Sequence, residues 1–249
     1  MDEGALFLVV LACLLAASLG SLAISRRLPP HHGDDETLNV VRLIANIFVV
    51  MTSLVLGLLI NSAKNTLDTV DRNVHAFAAD LIMLDRLLQH YGPEAAGARQ
   101  RLLVYAMRAD AMMNEDQATG ENRAAEKMLD EVGAGINALG PQDAEHRTLQ
   151  QSAQQQFVRV AELRWLIVGI TRGTIPASLV VLVVASLMLV FTSYAWRAPA
   201  KAPVVASFLA ASVLLSAAIV LILDMDRPFS GPVRVSSESL MRAIAEIGP

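Results

Sequence analysis

Asn39, Asn46, Ser53 and Lys64 follow one another at steps of seven, seven and eleven residues, with Gly57 among them. At about 100° per residue these spacings put all five near one side of a single helix. Asn61 and Arg42 fall at the margins of that side, and Asp71 and His75 continue it further along. Carboxamide, hydroxyl and ammonium groups on one helix face have two physical uses in an apolar setting. They let neighbouring helices approach closely and hydrogen-bond, or they line a water-filled path and replace part of an ion's hydration shell. The stripe carries charge at its two ends and none between, which suits both.

Other reactive side chains are sparse. His31-His32 lacks an accompanying carboxylate cluster, and Asp71 with His75 makes a lone i,i+4 pair where a metal site needs three or four ligands. His90 falls at a predicted helix C-terminus, where a cation is favoured. Asp224 and Asp226 end an apolar run, opposing the helix dipole, and interfacial placement explains them. Arg172, before another apolar run, reads as a snorkelling side chain. Cys13 is the only cysteine, so within one chain neither a disulfide nor a thiolate metal site can form. The sequence holds no Gly-x-Ser-x-Gly elbow, phosphate-binding Gly-Lys-Ser/Thr loop, His-Glu-x-x-His or Cys-x-x-Cys pair. No catalytic residue, metal site or cofactor is expected, and an enzyme is not the reading.

The polar stripe sits inside one of four uncharged apolar runs, Ala5–Ile24, Leu43–Ala63, Ile175–Tyr194 and Pro203–Leu223. Each is about the twenty residues needed to cross a bilayer as a helix, and lipid tolerates no open backbone. The chain is 54% apolar, above the roughly 45–50% of soluble domains. Its net charge is -4, and with no basic stripe interleaved with aromatics, nucleic acid is excluded as a partner. The first run begins with Asp2 and Glu3 rather than Lys or Arg, so it reads as a retained span and not a secretory leader. The fold class is therefore an all-α integral membrane protein with four transmembrane helices in two pairs and a helical-bundle insert between spans two and three. The expected segments are 1–24, first span; 25–42, loop with Pro29-Pro30 and Asp34-Asp35-Glu36; 43–63, second span and candidate pore helix; 64–172, extramembrane bundle; 173–196, third span; 197–202, turn; 203–223, fourth span; and 224–249, tail.

Beyond Ala63 the second helix has no stop signal before Gly92-Pro93. Leu67, Val70, Val74, Phe77, Leu81, Leu84 and Leu88 recur at three- and four-residue steps, the seam of a helix packed along a partner. Three more helices follow. One carries Leu102, Tyr105, Ala109 and Met112, the next runs from Ala125 to Leu139, and the last runs from about Gln142 toward Trp165, with the polar stretch Asn114–Asn122 as a break. The charges at Asp68, Asp71, Asp80, Asp85, Arg72, Arg86, Arg159, Glu162 and Arg164 read as a solvated surface, and the Gln-rich patch 150–156 as the polar side of its helix. Trp165, Tyr194 and Trp196 bracket the third span as interfacial anchors, and Leu240, Ile244 and Ile247 give the tail an apolar side. Arg26 and Arg27 are outweighed by Lys64, Arg72, Arg159, Arg164, Arg172, Arg227 and Arg234, which leans toward cytoplasmic termini and insert.

The passage from Val55 to Lys64, then Asp71-Arg72 and Leu84-Asp85-Arg86, resembles the bacterial membrane-protein family described as bestrophin-like. So does Asp226-Arg227-Pro228-Phe229-Ser230-Gly231 with Arg234-Val235-Ser236-Ser237 behind it. The layout of spans and insert is similar over nearly the whole chain. Through the family's distant relation to true bestrophins, the resemblance implies a pentameric anion channel of the inner membrane whose second span lines the pore. Asp226, Pro228, Phe229 and Gly231 match an acidic-Pro-Phe-x-Gly segment after the fourth span, and Gly57 matches a glycine of the second. Where true bestrophins continue with acidic calcium ligands, this chain has Pro232-Val233-Arg234, and where their pore neck is rich in bulky side chains, this span has Phe48 as its one aromatic. Calcium gating and anion selectivity are therefore not carried over by the match.

The reading is a homo-oligomeric, bestrophin-like channel or transport protein embedded in the lipid bilayer. Its pore-lining candidates are Asn46, Ser53, Gly57, Asn61 and Lys64, and its ligands are small anions. The rival is a non-transporting sensor or assembly scaffold that works through its helical extramembrane domain.

Overall fold

The computed structural model describes residues 3–27, 35–114, 121–170, 175–196, 198–199, 201–229 and 231–248. Pro29-Pro30, His31-His32, Asp34, the centre of the polar break (115–120), Arg172, Arg197 and Ser230 lie outside them. Among the described residues eight α-helices form: α1 Glu3–Arg27, α2 Asp35–Tyr91, α3 Ala96–Asn114, α4 Glu121–Asn137, α5 Ala144–Ile170, α6 Ala177–Ala195, α7 Ala202–Met225 and α8 Glu238–Ile247. No strand occurs among the described residues. Four helices, α1, α2, α6 and α7, are long and apolar enough to cross a membrane.

The chain divides into two compact units, one of residues 1–65 and 173–226, the other of 66–172 and 227–249. In the first, α1 packs against both α6 and α7. The apolar core there is built from Val10, Leu14, Leu59, Ala63, Val183, Leu187, Ile219 and Ile222. Ser18, Ser21, Ser212 and Ser216 are buried with them. Their small size lets helix backbones approach. The hydroxyl of Ser21 donates to the Thr192 carbonyl at 2.9 Å, while those of Ser18 and Ser212 bond back to Leu14 and Phe208.

The second unit is a helical bundle with its own core. The seam of α2 is buried at Val70, Val74, Phe77, Leu81, Leu84 and Leu88, against Leu102 and Tyr105 of α3, Val132 and Ile136 of α4, and Val160 of α5. The Phe77 and Tyr105 rings meet edge-on with centroids 6.3 Å apart. α2 ends at Gly92, whose φ of 110° is a conformation an L side chain rarely adopts, and Pro93 opens the short 3-10 turn that leads into α3. α8 belongs to this core too: Leu240, Ala243 and Ile247 are buried in it, and the helix packs on α3. Its apolar side was visible in the sequence; its docking surface was not.

Two polar features differ from the sequence reading. Asp85 is not on a solvated surface. It is 4% exposed, and both carboxylate oxygens accept from Arg99, at 2.8 Å from Nε and 3.0 Å from Nη2. The cause is position: around α2, Asp85 projects between the buried Val74 and Ala78, at the edge of the seam. Two glutamines of the Gln-rich patch make long-range structural bonds as well. Gln150 donates to the carbonyls of Ile136 and Leu139 at the end of α4, and Gln156 donates to the Asp80 carboxylate at 2.8 Å.

Candidate functional site

The geometry of the stripe follows from which side of α2 the first unit covers. Ala45, Thr52, Leu59 and Ala63 are buried, and at 100° per residue they form one narrow seam. Asn39, Asn46, Ser53, Gly57, Asn61 and Lys64 are all exposed, centred about 120° around the helix from that seam. Beyond them Leu43, Ile47, Val50, Leu54 and Leu58 make an exposed apolar face. The structure thus brings the five predicted site residues of α2 onto one strip that the described residues leave uncovered.

Each group on the strip has a defined chemistry. The Ser53 hydroxyl donates to the Val49 carbonyl one turn back at 2.8 Å, leaving its oxygen lone pairs outward until it rotates. A methyl group added at Gly57 meets nothing within 4 Å, so this glycine serves no close packing among the described residues. Lys64 supplies a positive charge on the exposed side. Asn46 is reached by a second helix: Tyr194 of α6 donates its hydroxyl to the Asn46 side-chain oxygen. Tyr194, read from sequence as an interfacial anchor, therefore has a second role that no periodicity could reveal, because 148 residues separate the pair.

The segment after α7 is ordered by its own bonds. Asp224 and Asp226 are each 3% exposed, so they are interior rather than interfacial. The Asp226 Oδ2 accepts the Ile175 backbone N–H at 3.0 Å, placing negative charge at the turn into α6, where a helix N-terminus favours it. Pro228 is buried and its carbonyl accepts from the Val235 N–H at 2.8 Å, closing a loop in which Gly231 takes a φ of 85°. Phe229 packs on the core of the second unit.

The remaining candidates are local. His75 donates from Nδ1 to the Asp71 carbonyl at 2.9 Å, and His90 does the same to Arg86 at 2.8 Å. Each Nδ1 must carry the proton, because a carbonyl can only accept. Among the described residues no three His, Cys, Asp or Glu side chains gather as a metal cluster would require. A cleft of about 440 Å³ between α2 and α8 is lined by His75, Ser236, Glu238, Ser239, Arg242 and Glu246. Its charges pair off, Arg242 with Glu238 and Glu246 with Arg86, so it offers no net charge for a ligand.

No curated protein matches the sequence. Among solved structures, the chain is similar to a point mutant of a bacterial bestrophin homolog from Klebsiella pneumoniae, with a TM-score of 0.66, 11% identity and 97% of each chain covered. A second structure of a Klebsiella pneumoniae bestrophin homolog, phased on zinc, gives 0.63 at 12% identity with the same coverage. A mutant structure described as that of a membrane protein gives 0.59, again at 12% and 97%. At these identities the likeness is one of fold. The family model of the bestrophin-like domain, however, matches residues 12–240, nearly the whole chain. The chain belongs to the bestrophin-like family of membrane proteins.

Proposed function

We propose that this protein is an oligomeric ion channel of the bestrophin-like type, conducting small anions along a path lined by α2. The helices α1, α2, α6 and α7 cross the bilayer as four spans in two pairs. The bundle of α3–α5 stands outside it as an insert between the second and third spans, with the termini on the same, cytoplasmic side of a bacterial inner membrane. One observation carries this reading: the polar stripe of α2 stays exposed beside the chain's own described spans, even where Tyr194 of α6 reaches Asn46. Intrachain packing would have buried Asn46, Ser53 and Gly57, and all three are exposed. Polar side chains within a membrane span seek a polar surrounding, and copies of α2 gathered around an axis would supply one as a wetted channel. Lys64 then stands at the domain-side mouth, where its charge raises the local anion concentration. Family membership and the fold likeness support the same architecture.

The test is current from the purified oligomer in planar bilayers across a chloride gradient. Reversal near the chloride potential is expected, with loss of current in Gly57→Trp while the oligomer still elutes intact. A silent but well-assembled oligomer, or a Gly57→Trp variant that conducts as before, would overturn the assignment and turn attention to the sensor or scaffold role of the helical domain.

A further inference from the structure

We infer that Tyr194 fixes which end of the Asn46 carboxamide faces the path, so that this level of α2 presents N–H donors and favours an anion over a cation. The inference rests on the proposed reading of α2 as the lining helix. A carboxamide has two ends, an oxygen that only accepts and an NH2 that only donates. In Asn46 the oxygen is taken by the Tyr194 hydroxyl. The NH2 makes no hydrogen bond among the described residues, and the side chain is exposed.

Asn46 lies within an apolar helix long enough to cross a membrane, where lipid tails would leave the two N–H groups unsatisfied at substantial cost. A polar occupant must therefore face them, and outward N–H donors suit an anion's coordination and repel a cation's. Tyr194 is held for this task. It stands on α6 between Phe191 and Ala195, which are both buried, and the Phe191 ring packs against Phe208 at 5.8 Å. The neighbouring Ser53 has no such constraint, since its hydroxyl bonds only to its own helix and can turn either end outward. Asn46 is thus the position of the strip whose outward chemistry is set by a second helix, and Tyr194 acts as a positioning residue.

The test is the chloride-to-potassium permeability ratio, read from reversal potentials in a KCl gradient on the full-length oligomer in planar bilayers. Tyr194→Phe removes one exposed oxygen and frees the carboxamide to flip. The ratio should fall by about fivefold, the factor of one hydrogen bond of ordinary net strength. Asn46→Leu keeps the bulk and removes both donors, and should lower the ratio at least as far. Adding Tyr194→Phe to Asn46→Leu should change nothing more, because Tyr194 acts only through Asn46. A conducting Tyr194→Phe channel with the wild-type ratio overturns the inference and leaves the path assignment standing. So does a Tyr194→Phe effect that persists in the Asn46→Leu background. If Tyr194→Phe fails to elute as an oligomer, Asn46→Leu with an unchanged ratio overturns it equally. A silent wild type removes the path assignment itself, and the inference with it.

Discussion

Breaking the Asp85–Arg99 pair should destabilise the protein asymmetrically, and the size of the asymmetry follows from burial. The Asp85 side chain is 6% exposed and the Arg99 side chain 33%. The carboxylate depends on its partner far more than the guanidinium does. Breaking a fully buried pair costs about 3–5 kcal/mol, whereas an exposed one contributes about 0–1 kcal/mol. Arg99→Ala strands a nearly dry carboxylate and should cost about 3 kcal/mol. Asp85→Ala leaves a guanidinium that water can reach and should cost about 1.5 kcal/mol, between the two ranges. For a chain of this length each kcal/mol moves the thermal midpoint by about 2–4 °C. The expected drops are therefore about 9 °C and about 4 °C. Tryptophan fluorescence of the full-length protein in detergent, heated at one fixed rate, reads them directly. The double variant Asp85→Leu/Arg99→Leu should recover most of the loss, because it leaves no buried charge behind. Equal drops for the two single variants, or drops below about 2 °C for both, would refute this account and make the pair no more than a surface contact.

Gly133→Ala should also destabilise, by about 1–3 kcal/mol: an added methyl would sit 2.7 Å from the Phe157 ring, and Phe157→Leu in the same chain should restore part of the thermal midpoint. At the start of α5, the Asp143 carboxylate accepts from the His146 backbone N–H at 2.8 Å and from its ring Nδ1 at 2.7 Å. The backbone bond, and then the ring bond, hold Asp143 below its ordinary 3.8, and the side-chain bond to Asp143 holds His146 above its ordinary 6.5. The histidine contribution is therefore full below pH 6.5 and fades as pH rises through its raised value. The aspartate contribution is full above pH 3.8 and fades as pH falls through its lowered one. An NMR titration of His146 should show a midpoint above 6.5 that falls back toward it in Asp143→Asn; an unmoved midpoint would rule the bond out as the cause.

How far the sequence reached can be argued from individual residues. Helical periodicity needs only one strand of information, the chain itself. It located the buried seam from Val70 to Leu88, the four apolar helices, the unbroken run of α2 to Tyr91 and the polar strip on which Asn46, Ser53 and Gly57 sit. The family resemblance was legible for the same reason, through local motifs. Partners are a different matter. Arg99 for Asp85, Ile175 for Asp226, Tyr194 for Asn46 and the α3 surface for α8 all require two segments to be placed in space, and one sequence does not fix that placement. The Asp85 burial had a signal that was available. The residue projects between the buried Val74 and Ala78, at the edge of the seam, and a carboxylate placed there predicts a cation opposite it.

The docking of α8 carries a consequence for how the protein is made. Leu240, Ala243 and Ile247 complete an apolar core whose other buried members all precede residue 173. The ribosome delivers residues 66–172 first, then the apolar segment 173–226, and only afterwards the helix that closes the core. Through that interval the nascent bundle keeps an uncovered oily strip, the condition in which long-range contacts slow folding and invite aggregation or chaperone capture. Completion of the second unit is thereby made to wait until both late apolar helices have been synthesised.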